Sequence, residues 1–258
     1  MGGLARRAAF IKVDRARREN AHLLLLDSGN TFWGPSPSPA TIQSQGKVIV
    51  AAMNLMGYDV MALGETDLQL GEDVLRQRIA EAHFPVLSAN VIVESSGELL
   101  TDPYVLLEIG GRPVGIIGLT GTGTSQVIGT LATVDPEVSL ATYVKELQAQ
   151  TNIIIVLSNL GWESNVRLAE TVPGIDFIIS TGSSEVLTER WQSPQTGTLI
   201  CQLPLGRREH PEWVVTTVKI DIDSAGLVTE YVGHPFEFGP EFADDPEIQQ
   251  LLDSYRTQ

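Results

Sequence analysis

Cysteine is nearly missing from this chain. Cys201 is the only one, so no disulfide can form within it. It sits in an apolar, strand-like pattern, which predicts a buried structural thiol over a nucleophile paired with His210. Histidine is scarce as well. His22, His83, His210 and His234 have neither HxH nor HxxxH spacing, so no zinc motif is readable. No apolar run approaches the roughly 18 residues of a membrane span. Positive charge is short: 17 Lys and Arg against 32 Asp and Glu leave a net charge of −15. That balance argues against nucleic-acid binding, which needs basic side chains facing phosphates, and fits solubility or cationic partners. The one basic cluster (Arg6, Arg7, Lys12, Arg15, Arg17, Arg18) is interleaved with Asp14 and Glu19 and reads as a solvated helix face. Met1 is followed by Gly2, Gly3 and a charged helical segment, with no signal-peptide pattern. The expected compartment is cytoplasmic if Met1 is the native start and extracytoplasmic if the chain is processed or trimmed.

What is present is 43% hydrophobic sequence over 258 residues, enough for a substantial core, patterned as strands alternating with helices and then mostly strands. Helices are expected over Leu4–Glu19, between Gly46 and Gly57, near Glu72–Ala82, from Pro136 to about Gln150 with Asp135 as N-cap, near 165–171, and over Asp245–Tyr255. Buried strands are expected at His22–Asp27, Asp59–Leu63, Pro85–Asn90, 153–158 and 176–181. Tyr104–Ile109 and Pro113–Leu119 flank Gly110-Gly111, a hairpin signal. Sequence from Leu199 to about Val232 is β-rich, and Gly34–Pro39 reads as a loop. There is no internal repeat, and 1–258 reads as a single domain.

Most motif searches fail. Gly118–Ser125, "GLTGTGTS", is glycine-rich after a strand but has neither the P-loop lysine nor dinucleotide-fingerprint spacing. Trp162, Trp191 and Trp213 are scattered, and core or rim packing is the default for each. The strand Ile153–Ser158 ends in "VLSNLG", with serine and asparagine where open α/β proteins place their chemistry.

The order of segments is far more specific: "GGLARRAAFI", "LLLLDSGNTFWG", "MNLMGYDVMALGETDLQLG", "FPVLSANV", "VGIIGLT", then "IIIVLSNLGWESNVRLAETVPGIDFIISTGSS". This order resembles the metallophosphoesterase domain of the bacterial 5'-nucleotidase family, in the calcineurin-like superfamily, from Gly2 to about Tyr255. The resemblance implies an α/β fold of two mixed β-sheets packed face to face and flanked by helices, with two divalent metals at the strand ends. In that family a carboxylate bridges the metals, which hold the phosphate and generate the attacking hydroxide.

The resemblance also implies that the ligands have changed. The bridging Asp of the second block is Asn30. The third block, Gly-Asn-His-Glu or Asp, reads Gly64-Glu65-Thr66-Asp67, so an Asn ligand becomes Glu65 and the transition-state His becomes Thr66. The fourth block, Ser-His-Leu-Gly, puts Asn159 in place of a His. The fifth, Gly-His-Ser-His, puts Gly182 and Ser184 in the two His places. The first block, Asp-x-His on the family's first strand, would lie before residue 1. No catalytic residue and no metal or other cofactor is therefore expected, although Asp27, Glu65 and Asp67 are candidates for an opportunistic cation. Asp27 also reads as a strand-end residue bonding loop amides, and Asp67 as a turn residue. Three functions follow: a non-catalytic scaffold or protein-binding domain; a metal-dependent phosphoester or nucleotide hydrolase with a rearranged centre on Asp27, Asn30, Glu65 and Asp67, using manganese or zinc; or a small-ligand binder in the vacated pocket. The family's nucleoside-binding C-terminal domain is not expected here. The missing first strand is expected to leave an edge at Leu23–Leu26 that a partner or self-association covers.

Overall fold

The computed structural model describes residues 2–18, 22–121, 127–180, 191–202, 214–222, 228–237 and 242–255. Along the chain these form α1 (Gly2–Arg17), β1 (Leu26–Asp27), α2 (Pro39–Gln43), α3 (Lys47–Met56), β2 (Val60–Ala62), a short 3-10 turn (Asp67–Leu70) and α4 (Glu72–Glu81). Then come β3 (Val86–Leu87), β4 (Val91–Val93), β5 (Tyr104–Ile109), β6 (Arg112–Leu119), β7 (Val127–Ile128), β8 (Leu131–Thr133) and α5 (Pro136–Leu147). The remainder is β9 (Ile154–Ser158), α6 (Trp162–Thr171), β10 (Phe177–Ser180), β11 (Trp191–Gln192), β12 (Leu199–Gln202), β13 (Val214–Ile222), β14 (Val228–Glu237) and α7 (Pro246–Ser254).

Two sheets dominate. The first is parallel, in the order β1-β2-β3, and the second is six-stranded and mixed, in the order β11-β12-β10-β9-β6-β5. Side chains alternate between faces, and that alternation sorts the apolar residues into layers. Val60 and Ala62 of β2 point toward Ile155 and Leu157 of β9, and with Leu87, Ile116, Phe177, Leu199 and Cys201 they fill the space between the sheets. Met61 and Leu63 face the other way, against α1, α3, α4 and α7. Ile154, Val156, Ile178 and Ile200 lie under α5 and α6. The result is the expected sandwich of two sheets flanked by helices, and the free thiol of Cys201 is buried within it as predicted. A small antiparallel sheet, β4-β8-β7, and the separate hairpin β13-β14 complete the described residues.

Local chemistry explains several boundaries. Asp135 caps α5 by accepting from the N–H groups of Glu137 and Val138, with Pro136 in the first turn. Asp245 does the same for α7 with Glu247 and Ile248. Gly57 ends α3 at φ +68°, a left-handed conformation that favours glycine.

The basic residues of α1 are less solvated than their pattern suggests. Arg15 donates to the carbonyls of Met56 and Gly57 at the end of α3, both at 2.6 Å, satisfying groups a helix leaves unpaired. Lys12 pairs with Asp245 at 2.7 Å, and Arg6 with Asp244 at 3.3 Å, so α1 is fastened to the start of α7. On the same helix Phe10 stacks on Phe236 of β14, with ring centroids 4.7 Å apart.

One expected strand is corrected. Of His22–Asp27 only Leu26–Asp27 forms a strand; Leu23 is 37% exposed and Leu24 to Leu26 are only half-buried. Among the described residues β1 has a neighbour, β2, on one side alone. Helix α2, with Ser38 as N-cap, and strands β4, β7 and β8 were not anticipated.

The layered core makes a clear prediction. Phe177 is fully buried between the sheets, whereas Val138 on α5 is 66% exposed. Phe177→Ala should cost about 3–5 kcal/mol in urea unfolding and Val138→Ala less than about 0.5 kcal/mol. Equal losses would contradict the layer assignment.

Candidate functional site

The carboxyl ends of the parallel strands gather in one place, because the loops after β1, β2, β6 and β9 bond to one another. After β1 the chain turns through Ser28, Gly29 and Asn30. Asp27 holds this turn, accepting from the Gly29 N–H at 2.9 Å and the Thr31 hydroxyl at 2.9 Å. Asn30 sits at φ +64°, a left-handed conformation that asparagine tolerates better than most residues.

The loop after β2 closes onto this turn. The Asn30 side-chain oxygen accepts from the Thr66 N–H at 2.9 Å and the Thr66 hydroxyl at 3.0 Å. Asp67, fully buried, accepts three backbone N–H groups: Gly64 at 2.9 Å and Asn30 at 3.0 Å on one oxygen, Trp33 at 3.1 Å on the other. Burial pushes the Asp67 carboxyl up to about 7, and the nearby charge of Asp27 adds to the rise; the three amides oppose it. Burial likewise raises Asp27, opposed by the Gly29 amide, the Arg7 charge and the Thr31 hydroxyl. Glu65, between these residues, is half-buried.

From the second sheet, Asn159 reaches across. Its side-chain nitrogen donates to the Ser28 carbonyl at 3.0 Å and the Leu63 carbonyl at 2.9 Å, and its oxygen accepts from the Gly121 N–H at 2.6 Å. Thr120 donates its hydroxyl to the same Leu63 carbonyl at 2.9 Å, while Asn90 bonds both the N–H and the carbonyl of Thr120. Asn165 of α6 joins Ser158 and Ser180 in a buried row with hydrogen bonds of 2.7 Å.

Packing here is tight. A Cβ on Gly29 would meet the Asn159 amide nitrogen at 2.5 Å, and one on Gly64 would meet the Asn30 backbone nitrogen at 2.1 Å. One on Gly121 would lie 2.7 Å from the Asn159 carbonyl oxygen.

The structure thus brings Asp27, Asn30, Thr66, Asp67 and Asn159 into one network. Gly182 and Ser184 lie outside the described residues, as do Thr122–Ser125 of the glycine-rich segment, His210 and Trp213. Among the described residues no group of three or more His, Cys, Asp and Glu is arranged to hold a metal ion. Sequence reasoning missed Asn90, Thr120 and Asn165. The available signal was their type, since a polar residue closing an apolar run marks a strand end whose loop needs partners. Trp162 and Trp191 form an edge-to-face pair, with centroids 5.8 Å apart, packed on the core beside α6.

No protein-family model matches the chain. Known proteins do. Human 5'-nucleotidase is 30% identical over 287 residues, an alignment that takes in 100% of this chain and 49% of that protein. Among solved structures, the 5'-nucleotidase precursor from Thermus thermophilus superposes with a TM-score of 0.83 at 29% identity, covering 98% of this chain and 52% of that one. A calcineurin-like phosphoesterase from Bacillus subtilis shares the fold with a TM-score of 0.79 at 20% identity, covering 98% and 88%. The chain spans about half the length of the curated 5'-nucleotidases it matches. Along its whole length the chain is thus similar to about half the length of these 5'-nucleotidases, and it carries the calcineurin-like phosphoesterase fold.

Proposed function

We propose that this chain is a non-catalytic metallophosphoesterase-like domain that acts as a scaffold or protein-binding module. The observation that carries the reading is the direction of the Asn159 amide: its N–H groups point at two carbonyl oxygens, where a metal ligand would present a lone pair. The other donors fit a binuclear centre no better. Asn30 offers a neutral oxygen already taken up by Thr66, and the carboxylates of Asp27 and Asp67 accept from loop N–H and hydroxyl groups. The sequence supplies no imidazole at Asn159, Gly182 or Ser184, and Thr66 cannot provide a cation for a phosphoryl transition state. Such a set supports no catalytic step.

Partner binding is supported by β1. Among the described residues it ends its sheet on one side, while Leu24 and Leu26 share a core with Val218 and Ile220 of β13, a strand paired there only with β14. An extended partner segment pairing with β1 would give this edge a second neighbour.

Three outcomes test these statements. With manganese, zinc or cobalt supplied, the chain should not hydrolyse phosphomonoesters, cyclic phosphodiesters or nucleotides above background, since loss of one such electrostatic contact costs on the order of 100-fold or more. Metal-dependent turnover of a chromogenic phosphoester, abolished by Glu65→Ala, would establish the rearranged hydrolase instead. If β1 pairs with a partner strand, including one from a second copy, the Leu24 and Leu26 amides should be protected from hydrogen exchange in the associated particle. A stable monomer that exchanges these amides freely would contradict strand addition.

The third outcome concerns pH. The folded Asp67 carboxyl titrates near 7 against an ordinary 3.8, so between those values the folded chain binds more protons than the unfolded one. Stability contributed through Asp67 therefore falls as pH rises across this window and is level above it. Asp67→Asn should flatten the decline in melting temperature between pH 5 and pH 8 relative to the parent, whatever its effect on absolute stability. An unchanged slope would show that Asp67 is not responsible.

A further inference from the structure

We propose that Asn159 is an inter-sheet clasp, and that the crevice where the family motif calls for a ligand histidine is built in this chain to hold an amide. The inference rests on the non-catalytic reading and goes beyond it, because it assigns the altered position a structural task.

Three observations converge on it. The first is valence. An asparagine side chain has two N–H donors and a carbonyl oxygen, and here both donors and the oxygen are engaged, by Ser28, Leu63 and Gly121. A neutral imidazole has one N–H and one lone pair, so histidine could donate to only one of the two carbonyls. A carboxylate would supply no N–H to either carbonyl and place negative charge against them. Glutamine has the right groups on a stem one methylene too long. The second observation is reach. Asn159 follows β9 of the six-stranded sheet, whereas Ser28 and Leu63 follow β1 and β2 of the three-stranded sheet. One side chain therefore links loops of both sheets, and Gly121, after β6, adds a fourth strand end. The third is space. Gly29 and Gly121 approach the Asn159 side chain so closely that a Cβ would lie 2.5 Å from its nitrogen and 2.9 Å from its oxygen. The amide is enclosed at contact distance by glycine backbone.

The clasp is part of a wider neutral lattice. The Leu63 carbonyl accepts from both Asn159 and Thr120, and Thr120 is held in turn by Asn90 and Ser88. Removing Asn159 leaves Thr120 bonded to Leu63 but leaves the Ser28 carbonyl and the Gly121 N–H without this partner. Returning the position to the family's histidine should therefore weaken the fold without restoring a metal site.

The experiment compares the full chain with Asn159→His and Asn159→Ala by thermal melting, with and without added manganese or zinc. Amide exchange is followed at Gly121. Both variants are expected to melt roughly 5–10 °C lower, as follows when buried polar groups lose partners in a chain of this size. Added metal should not recover the loss, and exchange at Gly121 should quicken at least tenfold. Melting of Asn159→His at the parent's temperature would overturn the clasp, as would recovery of its stability by one equivalent of zinc or manganese. If the variants do not fold, the unmodified chain still decides: the Asn159 side-chain N–H protons and the Gly121 amide must exchange slowly, and exchange at the rate of an exposed group overturns the proposal. None of these readouts depends on hydrolysis. Phosphoesterase activity in the unmodified chain would remove the non-catalytic reading and leave the thermal result to judge the clasp separately.

Discussion

Where several parallel strands stop together, each leaves backbone groups that its sheet can no longer pair, and those groups must find partners or water. This constraint governs the end of the molecule where β1, β2, β6 and β9 finish. Three small side-chain types meet it: asparagine at positions 30, 90 and 159, threonine at 66 and 120, and aspartate at 27 and 67. The layered core depends on their success. Val60 and Ala62 can face Ile155 and Leu157 only if the loops that follow these strands are held side by side.

The two ionisable members of that set show how finely the loops are balanced. Asp67 accepts three amides, yet enclosure still raises its carboxyl far above the ordinary range. Its amides offset part of the cost of burial and the remainder is sustained by the surrounding packing. Neutral amides carry no such burden at Asn30 and Asn159.

Much of the fold was legible in the sequence, for physical reasons that differ by element. The hairpin β5-β6 was readable because Gly110-Gly111 separates two apolar runs, and α5 because Asp135-Pro136 is both cap and first turn. β9 was readable because it is covered on both faces and so is apolar throughout. The run at Leu23–Leu26 misled, since an apolar segment reveals hydrophobic surroundings but not how much of it pairs as a strand. Strands of two or three residues such as β4, β7 and β8 carry too little alternation to be recognised. At the site, the order of segments identified the positions Asn30, Thr66 and Asn159. It could not reveal that their side chains bond to backbone groups of other loops, because Asn159 and Ser28 are 131 residues apart in sequence.

The fastening of α1 to α7 has a consequence for how the chain is made. Lys12 and Glu247 meet across 235 residues of sequence, and Ala5, Ala8 and Ile11 share one apolar layer with Ile248 and Leu252. During synthesis the first helix emerges long before the last, so its apolar side waits without the α7 part of its packing surface. The central strands can pair in that interval, but this outer layer closes only once α7 has left the ribosome. The layer is therefore a late, long-range assembly step, and the nascent chain carries exposed apolar surface on α1 until it is complete.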